Sequence, residues 1–270
     1  MGLFWSLFIC QYSNSEVHFK IAMLLFLLLG LIFGSFLNVL IYRLPKDQSI
    51  VYPSSYCVFC EKSISWFHNI PILSFLFLRG KSSCCSKKIP FRYPFVEFAS
   101  SMLWVWSYYN IEDISGHFLF LMMSSCLLVI IFTDYMHFLI PLELNLLMFL
   151  SCLSTFIITD KDNLYSHFFS MFLLVAYFLV LMWIVSFLMK KDSMGYGDVI
   201  LIGVLSFWLG LFDIFLIVFF ASLLSIIHWV ILKIVKKDDN IVLPFGSTIS
   251  LATILIFIIK VTLQLETNFF

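Results

Sequence analysis

The sequence predicts an all-α integral membrane protein of about eight transmembrane helices, with one cytoplasmic loop domain after the first helix. Three observations carry this. Of the 270 residues, 62% are hydrophobic and 12% charged. A soluble domain is about a quarter charged, so this chain has too little polar surface to coat a water-soluble ball. The mean hydropathy is +1.03. Charged residues also divide the chain into apolar runs, several close to the ~20 residues that a bilayer crossing requires. A soluble enzyme, a disordered tail and a nucleic-acid binder are excluded on composition. Sixteen Lys plus Arg balance sixteen Asp plus Glu, so net charge names no partner beyond the lipid bilayer.

Residues 1–20 read as an extracytoplasmic N-terminal segment. The apolar start lacks a basic n-region, so it does not read as a cleaved signal peptide. Met1-Gly2 with Ser6 fits an acylation pattern by chance, because the orientation below puts this end outside. The first transmembrane helix covers 21–42. Residues 43–92 are polar and form the one stretch able to fold outside lipid. The transmembrane domain, 93–270, holds apolar runs at 93–109, 117–133, 139–159, 167–189, 199–210, 214–232 and 246–263. The run at 199–210 is only about 12 residues long, so it either packs inside the bundle or merges with a neighbour.

Charge sets the orientation. Taking alternate loops, Arg43, Lys46, Lys62, Arg79, Lys81, Lys87, Lys88, Arg92, Lys190, Lys191, Lys233, Lys236 and Lys237 fall on one side. Lys20 and Lys161 fall on the other, and Lys260 lies within the last run. Positive loops stay in the cytoplasm. Both termini are therefore expected outside, with 43–92 in the cytoplasm.

Ionisable groups in an apolar framework are costly, so their default reading is functional. The candidates are Glu97, Asp134, Glu143, Asp198 and Asp213. Asp134 closes the third span and Asp198 opens the sixth, both at the cytoplasmic side. Asp213 falls in an outer turn and reads as a solvated charge. Asp198 follows Gly195-Tyr196-Gly197, and the two glycines permit close backbone approach. They also leave room beside the carboxylate for an extended substrate strand. A helix cap accounts for the same pattern, since Asp caps helices well. Two facing carboxylates share one proton. The ionised member can activate water while the protonated member polarises a peptide carbonyl. A proton- or ion-coupled transporter also uses intramembrane acids, and spacing alone leaves both open.

Five blocks in order resemble the type IV prepilin peptidases. Gly34-Ser35-Phe36-Leu37-Asn38-Val39-Leu40-Ile41-Tyr42-Arg43-Leu44-Pro45 resembles the first-helix signature. Asn69-Ile70-Pro71-Ile72-Leu73-Ser74 with Leu78-Arg79-Gly80-Lys81, and Arg92-Tyr93-Pro94-Phe95-Val96-Glu97, are similar to the cytoplasmic-loop signature and its end. Thr133-Asp134 with Ile140-Pro141, and Met194-Gly195-Tyr196-Gly197-Asp198-Val199, resemble the two catalytic aspartate segments. The resemblance implies an inner-membrane aspartyl endopeptidase with Asp134 and Asp198 as the catalytic pair. Its substrates would be type IV prepilins and the pseudopilins of type II secretion, cut after a Gly at the cytoplasmic face. It also implies N-methylation of the new terminus with S-adenosylmethionine. An intramembrane aspartyl protease without methylation stays open as the alternative. The sequence departs from the family at Ile200, where Lys is common, and at Leu142, where an acid is common.

Gly195, Gly197, Glu97 and Asn38 are read as substrate-positioning residues. Asn38, Arg43, Arg79, Arg92 and Glu97 are polar groups at the loop–membrane border that could hold a carboxylate or an adenosyl group, with Arg43 and Arg92 also suited to anchoring at lipid headgroups. No glycine-rich nucleotide fold of about a hundred residues fits in the loop. Methylation therefore rests on the resemblance alone. Trp104, Trp106, Tyr108 and Tyr109 read as an interfacial aromatic belt.

Seven cysteines occur, four of them in the loop. Cytosolic thiols stay reduced, so Cys57-Val58-Phe59-Cys60 reads as half of a tetrathiolate zinc site. The family repeats that spacing downstream. Here Ser82 stands where a Cys is expected, Cys85 keeps the last position, and Cys84 is extra. Zinc would be held by Cys57, Cys60 and Cys85 with Cys84 shifted in, or with water or His68. Plain free thiols are the alternative. Cys10, Cys126 and Cys152 read as packing residues.

Overall fold

In a computed structural model the described residues, 2–190, 194–236 and 242–264, form helices and short turns, with isolated β-bridges but no β-strand among them. Lys191 and Lys237 of the basic loops, and the side chain of Cys10, lie outside the described residues. The helices are α1 (Gly2–Arg43), α2 (Leu73–Phe77), α3 (Arg92–Asn110), α4 (Ile114–His137), α5 (Leu142–Thr159), α6 (Leu164–Met189), α7 (Tyr196–Leu209), α8 (Leu211–Lys236) and α9 (Phe245–Thr262). Each apolar run read from the sequence contains a helix, though 139–141 is extended before α5 begins. Among the described residues six stretches are long and apolar enough to cross a membrane: His18–Lys46, Ile114–His137, Leu142–Thr159, Lys161–Met189, Leu211–Val235 and Phe245–Thr262. Of the other two runs, α3 is diluted by Arg92, Glu97 and three serines, and α7 has only 14 residues. The polar stretch at 11–20 does not interrupt α1, which is helical from Gly2.

The chain divides into two compact units, 1–39 with 51–112, and 40–50 with 113–270. In the first, α1 and α3 pack at small residues. A Cβ added at Gly30 would lie 2.6 Å from the Ser101 Cα, and one at Gly34 would lie 2.6 Å from the Glu97 Cα. Glycines four apart thus let the two backbones touch, the close approach common between membrane helices. Trp104 lies over Phe33 with ring centroids 4.8 Å apart, and Tyr108 over Phe26 at 5.0 Å. These two aromatics, read as part of an interfacial belt, also stack against α1.

The second unit is a bundle of α4 to α9 with α7 in its interior. Every residue from Leu201 to Leu209 is buried. At ~1.5 Å per residue α7 spans roughly 21 Å, short of the ~30 Å hydrocarbon core, and it is enclosed by α5, α6, α8 and α9. Of the two alternatives for the short sixth run, packing inside the bundle is what occurs. Gly210, with φ at 82°, makes the turn that lets α8 start at the next residue. Phe257 on α9 stacks between Phe120 of α4 at 5.1 Å and Trp208 of α7 at 4.9 Å.

Asp213 corrects the reading from sequence. It is paired with Lys260 of α9 rather than solvated, with side-chain exposures of 16% and 19% respectively. Removing one partner strands a half-dry charge. Lys260→Met or Asp213→Asn alone is expected to cost roughly 1–3 kcal/mol, measured by denaturant unfolding in detergent. The double variant should recover most of the loss, and strict additivity would show the pair to be uncoupled.

Candidate active site

Asp134 lies in the last turn of α4 and is 5% exposed. The helix ends there because Phe138 takes a left-handed conformation, φ 53°, and returns its N–H to the Asp134 carbonyl at 2.9 Å. The chain then runs extended through Ile140 into Pro141, which precedes α5. The Asp134 carboxylate accepts the Ser247 N–H at 2.6 Å and also bonds the Gly246 N–H. Both donors belong to the first turn of α9, where backbone N–H groups have no partner inside the helix. An anion at this position also meets the positive end of the helix dipole.

Asp198 is the third residue of α7. One of its oxygens accepts the Gly195 N–H at 3.3 Å, so Asp198 bonds back to the cap from the third helical position, and the N-cap itself is Gly195 rather than Asp198. Its other oxygen lies 3.1 Å from the position of a Cβ on Gly246. Asp134 is near enough to act on Asp198 electrostatically. The two carboxylates therefore converge on consecutive residues, Gly246 and Ser247, from the C-terminus of α4 and the N-terminus of α7.

Three glycines shape the surroundings. A Cβ on Gly197 would lie 3.2 Å from the Ile140 Cβ, and one on Gly246 would lie 2.5 Å from the Ile140 Cδ1. The space expected beside Gly197 is thus occupied by Ile140. Gly195 and Tyr196 remain exposed beside Asp198. Gly246 and Ser247 were missed from sequence. Their signal was present as a Pro-Phe-Gly-Ser run at the head of the last apolar segment, but a backbone donor needs no particular side chain to mark it.

The other two substrate-positioning candidates, Asn38 and Glu97, belong to the first unit. Glu97 is 7% exposed and its Oε2 accepts the Ile72 N–H at 2.7 Å, with the Ser35 hydroxyl as a second donor. Asn38 is 3% exposed and donates through Nδ2 to the carbonyls of Tyr93 at 3.0 Å and Gly34 at 3.3 Å. Arg43, in the second unit, closes the turn after α1 through Nη1 to the Ser49 carbonyl at 2.8 Å.

The loop cysteines sit on two turns of matching geometry. The Cys57 N–H bonds the Lys62 carbonyl at 2.9 Å and the Glu61 N–H returns to Cys57 at 2.8 Å. The Ser82 N–H bonds Lys87 at 2.8 Å and the Ser86 N–H returns to Ser82 at 2.9 Å. Glu61 and Ser86 have φ of 58° and 56°. By this register Ser82 corresponds to Cys57, Cys85 to Cys60, and Cys84 to Phe59. The Sγ atoms of Cys57, Cys60, Cys84 and Cys85 all lie within 4.8 Å of one another. Cys84 reaches the cluster because residues 83–85 form a turn rather than extended chain. His68 bonds Ser83 and lies outside the cluster. Burial opposes ionisation of Cys57, but hydrogen bonds from Ser82 and the Phe59 and Cys60 backbone outweigh it and bring the thiol down to about 6. At Cys60 a backbone bond from Lys62 favours the thiolate, yet the neighbouring thiols, Cys84 foremost, hold it up at about 12.

Fold and site together define a multi-helix membrane protein built around two convergent carboxylates, an arrangement suited to an aspartic peptidase. Comparison with known proteins agrees with that class. Residues 28–111 match the bacterial peptidase A24 N-terminal domain, and residues 121–230 match the type IV leader peptidase family. A prepilin leader peptidase/N-methyltransferase of Klebsiella pneumoniae is 36% identical over 192 residues, 67% of this chain and 82% of the relative. Proteins of the same name from Xanthomonas campestris pv. campestris and Pseudomonas aeruginosa are 33% and 31% identical. They cover 85% and 84% of this chain, and 88% and 86% of their own lengths. No solved structure matches. The chain belongs to the type IV leader peptidase family.

Proposed function

We propose that this chain removes the basic leader of type IV prepilins and pseudopilins in the bacterial inner membrane, with Asp134 and Asp198 as the catalytic pair. The observation that carries this is the meeting of both carboxylates at Gly246 and Ser247. Asp134, bonded by main-chain donors, is assigned the ionised role and takes a proton from the attacking water. Asp198 is assigned the shared proton and polarises the scissile carbonyl. No covalent intermediate forms. The basic loops argue for a cytoplasmic location of both acids and for termini outside. A Lys- and Arg-rich leader stays on that side while the following apolar helix sits in lipid, which brings the peptide bond to the membrane surface. Exposed Gly195 and Tyr196 flank Asp198 where an extended substrate strand would lie.

The new N-terminus is then methylated with S-adenosylmethionine as the second substrate. The loop cysteines fit zinc: a tetrahedral ion with Zn–S near ~2.3 Å needs sulfurs about 3.8 Å apart. Cys57 and Cys85 stand at 3.7 Å and Cys60 and Cys84 at 3.1 Å. Zinc there would pin a loop with little core of its own.

Asp134→Asn and Asp198→Asn should each lower leader cleavage by roughly 10³-fold or more while the chain still inserts. Mass spectrometry of a co-expressed pilin's N-terminus reads cut and methyl group together, and near-normal cleavage in either variant would reject the pair. Gly246→Val should also abolish cleavage by driving a side chain into Asp198 and Ile140, whereas exposed Leu251→Ala should not. Metal analysis should find zinc in proportion to protein. Cys84→Ser should lose it, and Ser82→Cys added to Cys84→Ser should restore it. Metal-free wild-type protein would end the zinc assignment.

A further inference from the structure

The seam between α1 and α3 holds a buried acceptor with nothing to accept. Asn38 Nδ2 faces two carbonyl oxygens, Tyr93 O at 3.0 Å and Gly34 O at 3.3 Å, and both need a donor. That fixes the amide orientation, since the reversed amide would set oxygen against oxygen. The Oδ1 atom is therefore the one left over, and it has no hydrogen-bond partner. The Ser100 Oγ, 1% exposed, is likewise unpartnered. The Ser100 Cβ lies 3.1 Å from the place a Gly34 Cβ would take, and the Glu97 Cα lies 2.6 Å from it. Asn38 and Gly34 are one turn apart on α1, while Tyr93, Glu97 and Ser100 follow one face of α3. Glu97 has a main-chain donor from Ile72 on Oε2 and a hydroxyl donor from Ser35, which leaves lone pairs unused on a carboxylate.

Buried polar groups in native proteins are almost always paired. The group that pairs here must donate. A carbonyl oxygen and a carboxylate both reject an anionic ligand, such as the carboxylate of an amino acid, and both accept from a donor, with a cationic amine favoured by the carboxylate's charge. We propose that Asn38, Glu97 and Ser100 form the seat of the substrate's free N-terminal amine during methylation. This rests on the methyltransferase reading given above and adds to it the atoms that hold the nucleophile.

The chemistry balances with these residues. The terminus arrives as an ammonium, which has no lone pair. Glu97 takes one proton and becomes the neutral acid. Asn38 Oδ1 accepts one of the two remaining N–H groups and so directs the nitrogen lone pair. An N–C bond forms to the methyl carbon of a sulfonium donor as the S–C bond breaks, and sulfur leaves as a neutral thioether. The methylated amine retains the positive charge, and Glu97 returns its proton to water. The Ile72 N–H bond holds the carboxylate in one orientation throughout.

The test uses the purified full-length chain in lipid nanodiscs and a peptide with the mature pilin N-terminus, supplied with a free amine or N-acetylated. Wild type should bind the free-amine peptide at least about tenfold more tightly than the acetylated one. Asn38→Leu and Glu97→Gln should erase that preference. On a co-expressed pilin, the methylated fraction of cleaved N-termini should fall at least about a hundredfold in both variants. If Asn38→Leu does not fold, as judged by thermal unfolding, Glu97→Gln and Ser100→Ala carry the same comparison. Equal binding of the two peptides by wild type, or a normal methylated fraction in the variants, overturns the assignment; the first result would mean that only a buried water satisfies Asn38. A wild-type product that is cleaved but never methylated would remove the methyltransferase reading instead, and the binding preference would still judge the seam by itself.

Discussion

The arrangement of the second unit depends on the first turn of α9. A helix begins with main-chain donors that its own hydrogen-bond ladder cannot use. Here two of them are taken up by a carboxylate that ends another helix. Asp134 is thereby held where a third helix, α7, brings Asp198 to the neighbouring residue. Gly246 leaves room for this geometry, because a Cβ at its position would force the end of Ile140 to shift and would press on Asp198. The glycine at 197 does the same on the other side of Ile140. One isoleucine, in the stretch between α4 and α5, therefore fills the gap that two glycines open.

Sequence alone revealed the parts of this site that carry a chemical anomaly. Asp134 and Asp198 stand out because a charge in an apolar framework is expensive, and the glycines before Asp198 stand out because they interrupt a hydrophobic run. The apolar runs were legible as helices for the same reason. Gly246 and Ser247 were not, because the atoms that matter there are main-chain nitrogens, which every residue but proline has. Asp213 was misread because its partner, Lys260, is distant in sequence and meets it only once α8 and α9 pack. The stacking of Trp104 and Tyr108 on α1 was not legible, because it depends on the glycines at 30 and 34 bringing the two helices together.

The cysteine loop shows how a pattern can fail while the geometry survives. Spacing identified Ser82 as the departure and left the fourth ligand open among Cys84, water and His68. The two turns keep the same hydrogen bonds, so the register holds even though the thiol has moved. Cys84 brings its sulfur to the cluster from a position where the matching turn carries Phe59. Ser82 stays beside the cluster, with its hydroxyl 2.9 Å from the Cys84 sulfur and 3.4 Å from that of Cys57.

The brevity of α7 bears on how a hydrolase works inside a lipid. Hydrolysis consumes a molecule that hydrocarbon excludes. A helix roughly 9 Å shorter than the hydrocarbon core and enclosed by its neighbours sets the carboxylate of its first turn among protein rather than among acyl chains. The reagent is then resupplied between helices, not through lipid.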